Sequence, residues 1–190
     1  MFIDYVPLML INMSAGLFLL ACYLVKGIDS ADMKMWAAAF MMVGIVAFIS
    51  GWHMTVTWPL PGSYNVAFGQ MSVLLGILFL GAVLSLCKDW SLVPVAIYGF
   101  FAGLAAIVIG LRIINLGMTK ESFLSGIGFI LTGLSGVLAC PVLSLRNVKP
   151  LRLFVAVILV TAAFIWARTG YIAYWMHLSN LSKWLPPTMR

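Results

Sequence analysis

The sequence predicts an all-α integral membrane protein, a bundle of six transmembrane helices forming one domain over residues 1–190. Three observations carry this fold class. Hydrophobic residues make up 64% of the chain and charged residues only 8%, against about 45–50% and 25% in soluble domains. A soluble globule of this size could not hide so much apolar surface. The apolar runs are continuous rather than alternating, which argues against barrel strands. Each run reaches the roughly 20 residues that a spanning helix needs, and in lipid a helix satisfies its backbone groups within one segment. The length leaves no room for a separate soluble domain.

The first run is Tyr5–Val25. Asp4 precedes it and Lys26 follows, so it lacks the basic n-region of a cleavable signal. The second run is Met35–Met54, which leads into the stretch GWHMTVTWPLPGSYNVAFG at residues 51–69. There TWPLP is expected to be extended, because proline fixes its own φ and pushes the preceding residue out of the α region. Pro61 and Gly62 suit the centre of a type II turn. The third run, Val66–Cys87, opens beside Asn65, a favourable N-cap. The fourth and fifth, Leu92–Asn115 and Ser122–Leu145, carry Gly99 and Gly103, then Gly128 and Gly136, as small-residue faces. Such faces let helix backbones approach closely, within the bundle or between copies. The sixth is Leu151–Met176, and residues 177–190 form an expected extracytoplasmic tail.

Charge orients the bundle. Loops after runs one, three and five hold Lys26, Lys34, Lys88, Arg146, Lys149 and Arg152, while those after runs two and four hold only Lys120. The positive-inside rule places the first set in the cytoplasm and both termini outside, with Lys183 and Arg190 running against it. Cys22, Cys87 and Cys140 all fall toward the cytoplasmic ends and read as reduced packing residues. Trp36 and Trp90 mark one interface, and Trp52, Trp58, Trp175 and Trp184 the other. The net charge of +6 comes from scattered residues and forms no basic stripe for nucleic acid. The runs also read as three helical hairpins in succession, with His53, Arg112 and Arg168 at similar heights.

The polar residues converge on the outer side. His53, Arg112, Asn115, Arg168, Tyr171 and His177 end the even helices, and Asp4, Asn65, Gln70 and Glu121 open the odd ones. Arg168 lies sixteen residues beyond Arg152, roughly 24 Å along a helix. That leaves it short of a far surface about 30 Å away, where a charge must be paired, wet or snorkelling. Three readings of Arg168 stand: a snorkelling arginine, a salt bridge to Glu121 or Asp4, and a ligand site. The candidate ligand residues are His53, Trp58, Tyr64, Asn65, Arg112, Asn115, Arg168, Tyr171 and His177. His53 and His177 are weak candidates for haem or metal ligation. Histidine beside Tyr, Arg and Trp also suits the headgroup of a quinone-like lipid. The stiff 51–69 loop reads either as a cap over a cavity or as a connector seated among headgroups.

The 51–69 stretch and AIYGFFAGLAAIVIGLRIINLGMTKESFLSGIGFILTGLSGVLA at 96–139 resemble a family of small prokaryotic multi-span membrane proteins of unknown function. The resemblance implies a prokaryotic inner-membrane protein and supplies no activity, cofactor or catalytic residue. Three functional expectations follow. The first is a membrane subunit or binding protein with a polar pocket at its extracytoplasmic face, for a quinone-like lipid or haem. The second is a structural or assembly subunit with no ligand of its own. The third is a small transporter, which would want broken helices and ionisable groups at mid-membrane, whereas the helix centres here are apolar. No paired carboxylates, nucleophile–base motif, phosphate loop or metal box points to an enzyme.

Overall fold

The computed structural model describes residues 4–30, 32–182 and 184. Half of the predicted tail, with Lys183 and Arg190, lies outside the described residues. Six helices are long and apolar enough to cross a membrane: α1 (Val6–Gly27), α2 (Met33–Thr57), α3 (Asn65–Cys87), α4 (Val93–Leu116), α5 (Ser122–Ser144) and α6 (Lys149–Asn180). Several ends depart from α geometry. α1 closes in a π-turn over Tyr23–Gly27, α3 opens in another over Asn65–Gln70, and α2 opens as 3₁₀ over Met33–Trp36. The Asp32 carboxylate accepts from the Lys34 N–H and so caps that 3₁₀ start. α6 has 32 residues, about 48 Å of helix, and outruns a hydrocarbon layer of about 30 Å.

The helices form a ring in chain order, with α6 returning to α1. Each helix has one close partner, and the close pairs are α2·α3, α4·α5 and α1·α6. The tight seams therefore run between successive predicted hairpins rather than within them. Glycine explains the closeness of α4·α5. A Cβ on Gly103 would lie 2.5 Å from the Gly133 carbonyl oxygen, and one on Gly110 would lie 2.6 Å from that of Gly126. Gly136 meets the Gly99 carbonyl oxygen, while Gly128 faces the Trp166 ring on α6. In α2·α3, Gly76 abuts the Phe48 backbone and Gly51 abuts Val73. In α1·α6, Gly170 meets Ile11. The seam glycines Gly51, Gly110 and Gly170 recur at intervals of 59 and 60 residues.

The loop between α2 and α3 differs from expectation at two points. Trp58 is not extended: it adopts φ 48° and ψ 53°, and its N–H reaches back to the Met54 carbonyl. A left-handed residue is a common helix terminator, and Pro59 then bars continuation. Asn65 does not cap α3. Its side chain instead accepts from the Leu60 N–H at 3.1 Å and donates to the carbonyls of Leu60 at 2.5 Å and Gly62 at 3.4 Å. Asn65 is fully buried, so it locks the loop from inside. Gly62 has φ 56°, the positive value that the second central position of a type II turn requires.

Candidate functional site

On the face that carries His53, the polar residues form separate pairs. The Tyr5 hydroxyl meets His53 Nδ1, joining the start of α1 to the end of α2. Asp4 Oδ2 lies 2.7 Å from His177 Nδ1, joining the same start to the end of α6. Arg168 grips Glu121 with two hydrogen bonds of 2.5 and 3.1 Å, so the ion-pair reading of Arg168 describes its contacts. Its guanidinium holds the Glu121 carboxyl below its usual value. Arg112 donates to Asn115 at 2.7 Å on an exposed surface. Tyr64 donates to the Met118 carbonyl and ties the 58–64 loop to the link between α4 and α5. Trp58 and Tyr171 are exposed.

None of the nine sequence-predicted ligand residues lines the cavity inside the bundle. That cavity measures about 200 Å³. Its lining runs from Met9 to Leu24 along α1, about 22 Å at 1.5 Å per residue. α3, α4 and α5 supply most of the other walls, with small residues such as Ala102 and Ala106 on α4. Among the described residues, no charged side chain and no His or Cys faces it. Of its hydroxyls, Thr132 donates to the Gly128 carbonyl and accepts from the Trp166 indole at 3.1 Å, and Ser135 donates to the Thr132 carbonyl. Tyr23 donates weakly to the Met33 sulfur. Apart from these groups and the Ser72 hydroxyl, the space is lined by hydrocarbon rather than by polar groups suited to a headgroup.

Aromatic contacts stand at its His53 end. Tyr64 stacks on Phe68, Phe68 packs at 5.6 Å against Phe129, and Phe129 meets Trp166 edge-on at 5.0 Å. Leu60 and Tyr64 pack onto the same core cluster, so the proline loop sits over this end of the bundle. The neighbouring helices α3 and α4, both lining the cavity, have the thinnest packing in the ring. Even a Cβ added on Gly81 or Gly99 would meet Val95 or Leu78 only at ordinary contact distance.

The sequence offers Arg152 as a marker of orientation and of the depth of Arg168, yet Arg152 is 5% exposed. It clamps Asp29 with bonds of 2.7 and 2.6 Å and donates to the Arg146 carbonyl. The Arg152 hydrogen bonds hold the Asp29 carboxyl below its usual value, and the fields of Lys149 and Arg146 add to this. A partner 123 residues away leaves no local signal. Trp166, fully buried and central, was also missed, because a tryptophan inside an apolar run carries no mark of which way it faces. Among the described residues, no group of three or more His, Cys, Asp or Glu side chains could hold a metal ion.

Six apolar helices around a hydrocarbon-lined space define a multi-pass α-helical membrane protein. No curated protein and no solved structure matches the chain. The chain belongs to the DUF981 family of proteins of unknown function, whose model matches residues 1–180.

Proposed function

We propose that this is a membrane-embedded binding protein that holds the hydrocarbon tail of an amphipathic lipid, such as a quinone-like lipid, in the cavity between α1, α3, α4 and α5. The observation that carries the reading is the long, charge-free cavity lining. A tail about 22 Å long matches its height. The thin α3·α4 seam supports sideways entry from the bilayer. The polar pairs and the braced 58–64 loop supply a rim at the His53 face where a headgroup rests outside the cavity. In this reading the Lys26 face is cytoplasmic and both termini are outside, in a prokaryotic inner membrane.

Purification in mild detergent, followed by mass spectrometry of co-extracted lipid, tests the proposal. A stoichiometric quinone or other single-tailed lipid is expected in the wild type and is lost in Ala106→Phe, which fills the cavity from α4. An absorbance scan for a Soret band covers haem in the same sample. A folded protein that retains no lipid overturns the reading.

A further inference from the structure

A second lipid-accessible recess lies on the outside of the bundle, in the close pair α1·α6. It is a groove of about 380 Å³. Ala21 and Ala156 form its buried floor, and Phe18, Val25, Leu153 and Val157 are its exposed walls. The groove's one hydroxyl, on Thr161, is used internally, donating to the Val157 carbonyl at 2.9 Å. Among the described residues its only charged one is Lys26, at the end of the α1 stripe. The α6 stripe ends the same way, because Lys149 precedes Leu153 and Ala156 by four and seven residues and so shares their helix face.

The two lysines are exposed, and their ammonium groups have no salt-bridge or hydrogen-bond partner among the described residues. The nearby carboxylate, Asp29, is engaged by Arg152, and Lys149 reinforces its field without bonding to it. An apolar groove flanked at one end by two uncompensated cations complements one kind of molecule in the bilayer. We propose that the α1·α6 groove is a binding site for an anionic glycerophospholipid, with its acyl chain along Ala21 and Ala156 and its phosphate between Lys26 and Lys149. The π-turn that closes α1 contributes by carrying Lys26 at the mouth of the groove, and such turns recur at functional sites. This site shares no lining residue with the central cavity, and its test is independent of the reading above.

The experiment is native mass spectrometry of the full chain in an equimolar mixture of phosphatidylglycerol and phosphatidylcholine with identical chains. Two lysines near a headgroup favour the anionic lipid by roughly 30-fold. The wild type is expected to retain a phosphatidylglycerol adduct in about that excess. Lys26→Gln with Lys149→Gln brings the ratio close to one, while Lys88→Gln on the same face leaves it unchanged. Ala156→Phe fills the floor and removes the adduct of both lipids. The lysine variants alter exposed side chains only, so they keep the test decisive even where Ala156→Phe does not fold. Equal retention of the two lipids by the wild type overturns the proposal, as does a preference that survives loss of both lysines.

Discussion

Replacing Gly103 with alanine tests whether the α4·α5 seam is set by backbone contact. The new Cβ would lie 2.5 Å from the Gly133 carbonyl oxygen, 2.8 Å from the Val137 nitrogen and 3.1 Å from the Gly136 carbonyl carbon. All three are backbone atoms, so no rotamer relieves them. Reaching ordinary contact at 3.4 Å requires the helices to separate locally by about 0.9 Å. A gap of 0.5–1 Å forfeits roughly a quarter to a half of each dispersion contact along it. Overpacking of this kind costs about 1–3 kcal/mol. Gly81→Ala is the internal control, because its Cβ meets only the Val95 methyls at 3.6 Å. Both changes carry the same helix-propensity gain of about 1 kcal/mol, so their difference isolates the close approach. In denaturation by SDS titration in mixed micelles, Gly103→Ala is expected to be less stable than Gly81→Ala by about 1–3 kcal/mol. Equal stabilities would refute the reasoning.

Two further outcomes follow from side-chain contacts. Asn65→Ala removes three hydrogen bonds inside the 58–64 loop and leaves the Leu60 N–H and carbonyl without their partner. A loss of about 1–3 kcal/mol is expected, together with faster proteolysis at Trp58–Tyr64, and a loop as resistant as wild type would contradict this. Acid should loosen both faces. Asp29 and Glu121 have folded pKa values lowered by their arginine partners, so their stabilisation is present above the unfolded carboxylate pKa of about 4. It is lost as pH falls through the depressed folded values. A melting-temperature series from pH 6 to pH 2 is expected to fall more steeply for wild type than for Asp29→Asn, and parallel curves would refute that.

The spans were legible because lipid makes hydropathy nearly sufficient. The predicted run Val66–Cys87 and the helix Asn65–Cys87 differ by one residue. α6 runs on past Met176 to Asn180, beyond the point where the apolar pattern ends, and His177 in that extension meets Asp4. The polar residues at the His53 face stand out in the sequence, because polar side chains contrast with an apolar chain. Their pairings do not, since Tyr5 with His53 and Arg168 with Glu121 are choices made by helix packing. The central cavity was hidden for a related reason. Its lining is mostly Leu, Ala, Phe and Met, which in the sequence look the same as residues facing lipid.

The ring closes through the ends of the chain. Of the six helices α1 is synthesised first, yet its close partner α6 is made after the other five. Until then the stripe of α1 that meets Gly170 can pack only against lipid. The Asp4–His177 contact is likewise made across a loop of 173 residues. The native arrangement therefore cannot be completed one hairpin at a time during insertion. A chain released before α6 would keep five spanning segments, lose Val155 and Leu159 from the wall of the central cavity, and leave the faces of α1 and α5 that α6 covers without their partner.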